Sequence, residues 1–418
     1  MNGNVVVSQL GARMHYAVPR IFASEGRLAH FYTDICATDG WPRLVNRLPR
    51  RLLPSSVRRL TGRVPKGVPA ELTSTFPNFG IRSAIYRLRE QNVVEHMANA
   101  VWAGSEFSRL VASSGFHNAA GLYAFAGEAL EQIQAAKRQG MWTAVEQMIA
   151  PRGDVEDLVR GEHESFPDWA GAYTENPNAL AFAEREKAEW ALADIIVCPS
   201  EFVRSHVIKR GGRAEQCVVV PYGIDPHSPP QDIIRIGEPL RVLTVGEVGL
   251  RKGSPYVAEA ARLLGKSASF RMAGPSRLSA EVQARLSQSV ELRGIVPRAE
   301  MAKEYEWADV FLLPSICEGS ATATYEALAA GLPVICTDNA GSVVRDGIEG
   351  FIVPARDSEA IARAVTELND HPGIRAAMSE SAVARAAEFT VRRYGERLLD
   401  ALSVLPSERL PMNQAVHS

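Results

Sequence analysis

Short apolar runs recur along the chain, and the stretches between them carry helix-forming residues. In the first half the runs are Val5–Leu10, Leu28–Tyr32, Gly121–Phe125, Trp142–Glu146, Asp194–Cys198 and Cys217–Val220, with a shorter one at Ala100–Ala103. In the second half they are Leu240–Val245, Ser269–Ala273, Val290–Arg293, Val310–Leu313, Val334–Cys336 and Phe351–Val353. Most end at a glycine or proline, and their length predicts strands. Helices are predicted over His15–Ala23, Val93–Ala100, Ser105–Ser113, Leu130–Gln139, Glu184–Ala193 and Glu201–Lys209. Ser200 is a good N-cap for the last of these. Further helices are predicted over Tyr256–Leu264, Ala299–Trp307, Thr324–Ala330, Ser358–Asn369, Ile374–Glu388 and Thr390–Val404. Strands alternating with helices predict an α/β protein with doubly wound, Rossmann-like parallel sheets. The proline-rich stretch Pro226–Gly237 reads as a linker.

At 418 residues the chain has room for two or three domains. The boundaries implied are 1–223, 224–389, a last helix over 390–405 and a polar tail over 406–418. A net charge of −2 leaves no global electrostatic footprint for nucleic acid. The five cysteines are odd in number and none forms a Cys-x-x-Cys pair, which predicts free thiols in a reducing compartment. The N-terminus reads as a strand rather than a leader, and no apolar run is long enough to span a bilayer, so the protein is expected to be cytoplasmic. Residues 41–70 stand apart: eight basic residues, including Arg50, Arg51, Arg58 and Arg59, and no acid are interleaved with Trp41, Leu44, Leu48 and Leu52. One reading is a basic amphipathic surface on anionic lipid, which allows peripheral contact at the inner face of the membrane. The other is a solvated insertion packed on its domain. Basic residues here are not interleaved with stacking aromatics, which argues against nucleic acid.

The chemistry concentrates in the stretch Pro314–Ile335. The run Val310–Leu313 leads to Glu318, Gly319, Ser320, Ala321 and Thr322, then to a helix that carries Glu326 and stops at Gly331 and Pro333. Strand, loop and helix in this order present backbone N–H groups and a positive helix end to an anion. Glu318 and Glu326 lie eight positions apart across that anion site, and carboxylates in such a place suit hydroxyls, as on a ribose or sugar. A second loop, Gly246–Gly253, follows another strand and holds Arg251 and Lys252, which can neutralise a diphosphate. It is neither a P-loop nor a dinucleotide fingerprint, because the glycine spacing of both is missing. No Asp-x-Asp pair and no cluster with metal-site spacing occurs, so neither a metal nor another cofactor is expected.

These motifs together resemble the Glu-x7-Glu signature of retaining nucleotide-sugar glycosyltransferases of family four, which have the GT-B fold. The resemblance covers most of the second half. Gly246 with Arg251-Lys252-Gly253 resembles the family's donor diphosphate loop, and Pro221-Tyr222-Gly223-Ile224-Asp225 resembles the end of its first domain. The region Phe389–Tyr394 resembles the start of a terminal helix that crosses back to that domain. The resemblance implies two facing Rossmann-like domains, the first for the acceptor and the second for the nucleotide sugar. It implies that Glu326 binds the donor ribose, that Glu318 orients the sugar, and that the amides of Gly319, Ser320, Ala321 and Thr322 receive the sugar and distal phosphate. Arg251 and Lys252 would neutralise the leaving diphosphate, and the base would lie near Arg293. The reaction implied is transfer of a hexosyl unit to an acceptor hydroxyl with retention, without a metal. The acceptor is a carbohydrate or a lipid-linked one, as in polysaccharide or glycolipid biosynthesis.

The chain departs from the family's pattern twice. Glu247 stands where an arginine commonly follows the glycine, and Glu146 stands near the place of a cleft histidine. The acceptor-side candidates are therefore Gly11, Glu146 and His163, with His15 weaker. These departures leave a non-catalytic nucleotide-sugar-binding scaffold as one rival reading. A phosphorylase or hydrolase on the same architecture is the other.

Overall fold

The computed structural model describes residues 3–37, 63–90, 92–225 and 238–403. Most of the basic stretch 41–70, the linker 226–237 and the tail 406–418 lie outside the described residues. Seven parallel strands form the first sheet: β1 Val5–Gln9, β2 Leu28–Thr33, β3 Thr73–Thr75, β4 Gly121–Phe125, β5 Trp142–Glu146, β6 Ile195–Cys198 and β7 Cys217–Val219. Their order is β3-β2-β1-β4-β5-β6-β7. Six form the second: β8 Leu240–Val245, β9 Ala268–Ala273, β10 Val290–Gly294, β11 Val310–Leu313, β12 Val334–Cys336 and β13 Gly350–Ile352. Their order is β10-β9-β8-β11-β12-β13. Every pairing among the described strands is parallel, as buried, near-continuous apolar strands require. The order reverses between β1 and β4 in one sheet and between β8 and β11 in the other. Those reversal points open crevices beyond the carboxyl ends of the strands, where α/β sheets bind ligands.

The expected strand at Ala100–Ala103 does not form. One helix, Val93–Ser114, runs through it, capped by Asn92, whose side chain accepts from Glu95 N at 2.9 Å. Met97, Gly104, Phe107 and Val111 are buried along it, a helical period that overrides the short apolar run. A Cβ on Gly104 would lie 2.0 Å from Gly127 O, so this helix presses on the turn after β4. Helices Pro77–Arg89, Arg152–Ser165 and Ala280–Leu286, and the strand β3, have no counterpart in the sequence reading.

The chain crosses between its two sheets at two touching points. Ile224 N donates to Phe389 O at 2.9 Å and Val391 N to Ile224 O at 3.1 Å. A Cβ on Gly223 would sit 2.3 Å from Thr390 O, so only glycine lets the two segments pass. The last helix, Val391–Ser403, then packs beside helix Ala17–Ser24, with Gly395 against Ile21. Tyr394, Leu398 and Leu402 on it belong to one apolar cluster with Val7 and Tyr123 of the first sheet and Leu313 and Tyr325 of the second.

Candidate active site

The loops after β8 and β11 flank the reversal point of the second sheet and are pressed together. Gly253 has φ +73°, and a Cβ there would lie 2.1 Å from Pro314 O. Through this approach Arg251 and Lys252 reach the second loop. Arg251 Nη1 donates to Glu318 Oε1 at 2.5 Å and to Cys317 O at 3.0 Å. Lys252 Nζ lies 2.8 Å from the same Glu318 oxygen. The Lys252 and Glu318 side chains are 13% and 12% exposed, so the pair is poorly screened by water. Two cations on one carboxylate leave a positive charge at the N-terminus of helix Thr322–Ala329.

The rest of the β11 loop is tied down. Glu318 N donates to Asn339 O at 2.9 Å and Ala321 N to Ala340 O at 3.1 Å. The Ala321 amide is therefore spent within the fold and does not serve a phosphate as expected. Ser320 Oγ is bonded to Tyr325 OH at 2.6 Å and is buried. Gly319 is where the two halves meet: its carbonyl accepts from Ser200 Oγ at 2.5 Å, and a Cβ on it would lie 1.8 Å from Met148 O. Thr322 is exposed at the helix start.

Glu326, one face further along that helix, accepts from Tyr305 OH at 2.8 Å and lies 3.8 Å from Arg298. It closes a largely apolar cavity of about 250 Å³ with Ile224, Met301, Tyr305 and Ala329. Glu318 and Glu326 thus face two different subsites, one cationic and one apolar. Arg293 does not join them. It lies on the sheet's edge strand, 3.1 Å from Glu304 and 3.2 Å from Glu291, in a surface ladder with Arg271. Gly246, at φ +141°, leaves room for the Lys252 side chain, whose Cε would be 3.0 Å from a Cβ. The unexpected acid Glu247 lies 3.4 Å from Arg277 and lines one cavity with Arg251 and Lys252.

The facing wall comes from the reversal point of the first sheet. Gly11, at φ +73°, has nothing within 4 Å of a Cβ position. The helix expected from His15 begins only at Ala17, because Met14, His15 and Tyr16 hold φ of 45°, 52° and 62°. Left-handed non-glycine residues cost roughly 1–2 kcal/mol each, and strain of this kind gathers at functional sites. A buried polar set holds the turn: Glu128 accepts from Leu10 N at 2.9 Å and from Arg13 at 3.1 Å, and Asp34 accepts from Gly11 N at 3.1 Å. Gln9 donates to Gly11 O at 3.0 Å. The pKa of His15 is lowered by burial first and then by Arg298 and Arg20, against Asp225 and Glu326. Arg298 and Glu326 belong to the other half, so His15 looks across the cleft.

Glu146 does not reach the cleft. It is 2% exposed, and it accepts from Tyr123 OH at 2.5 Å and Tyr222 OH at 2.7 Å. Burial raises its pKa, with the tyrosine hydroxyls opposing. It sits under the crossing point, beside Tyr222 and the last helix, and its role is packing and hydrogen bonding there. His163 is half-buried on helix Arg152–Ser165, and its Nδ1 is 2.9 Å from Gly171 O. It shares a cavity wall with Arg251 and Lys252.

Residues 239–371 match the family model described as glycosyl transferases group 1. The chain is 28% identical over 199 residues to the amylovoran biosynthesis glycosyltransferase AmsK of Erwinia amylovora, covering 43% of this chain and 48% of that one. It is 31% identical over 182 residues to a putative colanic acid biosynthesis glycosyltransferase, WcaL, of Salmonella typhimurium, covering 39% and 44%. The chain thus spans about half the length of the curated relatives it matches. Among solved structures, Anabaena HepE in complex with UDP superposes with a TM-score of 0.62 at 15% identity, over 97% of this chain and 100% of that one. Sucrose-phosphate synthase from Thermosynechococcus elongatus does so with a TM-score of 0.62 at 16% identity, over 96% and 98%. The chain has the GT-B fold, and its resemblance to group 1 glycosyltransferases stands.

Proposed function

We propose that this GT-B chain, with its group 1 glycosyl transferase segment at 239–371, transfers a hexosyl unit from a nucleotide diphosphate sugar to an acceptor hydroxyl. The observation that carries the reading is the convergence of Arg251 and Lys252 on Glu318 at a helix N-terminus, with Glu326 eight residues on over an apolar cavity. That cavity suits a base, and Glu326, already accepting from Tyr305, has acceptor capacity for ribose hydroxyls. A diphosphate would take Arg251 and Lys252 from Glu318, which frees that carboxylate for the sugar's hydroxyls. Cations held ready where charge gathers on the leaving diphosphate lower the barrier without reorganisation. The leaving phosphate then takes the acceptor proton on the same face, and configuration is retained. HepE is described with UDP and glucose, and the relatives are named for amylovoran and colanic acid biosynthesis, which supports a polysaccharide or glycolipid acceptor. Incubation with a panel of nucleotide sugars and acceptors tests this, with the product's anomeric configuration read by NMR. The expected result is acceptor-dependent product of retained configuration, at an unchanged rate in EDTA. Inversion, release of free sugar alone, or loss of activity in EDTA overturns the corresponding part.

We further propose that the protein works at the cytoplasmic membrane surface. Among the described residues, no helix is long and apolar enough to cross a membrane. Helix Pro77–Arg89 supports peripheral contact: Ile81, Ile85 and Leu88 share one face and are 40%, 40% and 82% exposed. Arg82, Arg87 and Arg89 accompany them, and no acid occurs from Thr73 to Arg89. An exposed apolar stripe flanked by arginines fits an anionic interface. Sedimentation with anionic vesicles is expected to carry the protein down, and Ile85→Glu with Leu88→Glu to weaken this about tenfold. Unchanged sedimentation of that variant removes the helix from the contact.

A further inference from the structure

A cavity of about 430 Å³ lies between the first half's segment His163–Gly171 and the loop after β8. Its size is that of small-molecule sites, roughly 300–1,000 Å³. His163, Asp168 and Trp169 form one side, and Arg251, Lys252 and Arg277, the last paired with Glu247 at 3.4 Å, the other.

The first side belongs to a segment that leaves its own domain and is pinned to the second. Glu162, fully buried, accepts from Tyr256 OH at 2.9 Å and from Arg356 Nε at 2.5 Å. Phe166 meets Tyr256 edge-to-face at 5.2 Å, and the guanidinium of Arg285 lies 5.9 Å from the Trp169 ring. The wall is therefore built rather than loose.

The chemistry of the lining is mixed. A half-buried indole offers an apolar face, Asp168 accepts, and Arg277 donates. His163 Nδ1 donates to the Gly171 carbonyl, and in that tautomer of the neutral ring Nε2 is an acceptor. One apolar plane ringed by donors and acceptors of both signs matches a sugar ring, with its C–H face and hydroxyl rim. Glu326 and its apolar cavity are elsewhere. The cavity meets the donor site along the loop after β8, where Arg251 and Lys252 also hold Glu318.

We infer that this cavity is a carbohydrate subsite for the acceptor, with a sugar ring on Trp169 and a hydroxyl on His163 Nε2. The inference rests on the donor reading of the Arg251, Lys252 and Glu318 cluster. An acceptor ring held there lies against the two side chains that carry the donor's leaving group.

The test titrates the full chain with UDP, and then, at saturating UDP, with methyl glycosides of common hexoses and with maltose, read by isothermal titration calorimetry. The expected result is saturable glycoside binding in addition to UDP. Trp169→Ala weakens it at least tenfold, Trp169→Phe keeps it within about threefold, and UDP affinity stays within twofold in both. Unaltered UDP affinity also shows that the variants fold. Glycoside binding that Trp169→Ala leaves unchanged, competition between glycoside and UDP, or no glycoside binding in the wild type overturns the inference. Glycoside binding that depends on Trp169 in a protein that never binds UDP sinks the donor reading instead and leaves the cavity as a sugar site.

Discussion

Lys252→Ala is expected to lower kcat for transfer by roughly 10²–10³-fold, the cost of removing one preorganised donor from developing charge, with little change in melting temperature. Lys252 Nζ touches Glu318 at 2.8 Å, and Arg251 holds that carboxylate at 2.5 Å, so removing the lysine leaves no buried charge unpaired. The fold does not depend on it, and the loss falls on the transition state, in which the diphosphate carries most charge. Glu326→Ala is expected to behave differently. Its partner Tyr305 lies on the donor side, so the loss appears mainly as a higher donor KM with kcat little altered. Steady-state kinetics with saturating acceptor separate the two. A Lys252→Ala protein that melts like the wild type and retains full kcat takes the cationic loop out of the mechanism.

Gly319→Ala is expected to reduce transfer by about 10²-fold, the scale of a misplacement near 1 Å at a reacting centre. A methyl at this position would stand 1.8 Å from Met148 O, far inside contact distance, and that atom belongs to the opposite half. The obstacle is backbone, so it cannot rotate away. Gly341 presses from the other side, where a Cβ would be 2.0 Å from Gly319 O, and Ser200 Oγ holds the same carbonyl. The domains must therefore part at the very loop that presents Glu318. Each domain keeps its own core, since Gly319 lies in neither sheet. Circular dichroism near the wild-type spectrum, together with a wider particle by small-angle scattering and the loss of transfer, is the expected set. Full activity in a folded Gly319→Ala protein shows that closure at this contact is not needed.

The linear pattern carried much of the fold. β4, β5, β8 and β11 lie where the apolar runs end on glycine, proline or a polar turn, and Ser200 caps its helix through Val203 N. Buried parallel strands must be apolar throughout, so their positions are visible without knowing their neighbours. The convergence of Arg251 and Lys252 near Glu318 was also legible, because both loops follow strands at the same end of a sheet. What was not legible depends on partners distant in sequence. The left-handed turn at Met14–Tyr16 is made stable by Glu128 and Asp34, more than a hundred and about twenty positions away, and no local signal distinguishes it from a helix start. The resemblance put the base near Arg293, but its carboxylate neighbours Glu291 and Glu304 claim it. Glu146 ends β5 as expected but turns inward, because Tyr123 and Tyr222 offer it hydroxyls there.

By itself, then, the sequence determined the α/β class, most strand positions and the approach of a cationic loop to Glu318. These follow from local rules: apolar period, turn residues and helix ends. Tertiary structure alone decided which strand edges face each other, that Gly319 is a point of close contact between the halves, and that Glu146 is buried while His15 lies within reach of Arg298 and Glu326. It also decided that helix Arg152–Ser165 reaches over to the second domain and encloses a second cavity. Those outcomes rest on packing between segments with no shared local pattern, where the room left by a missing Cβ or the nearest free hydroxyl settles the direction of a side chain.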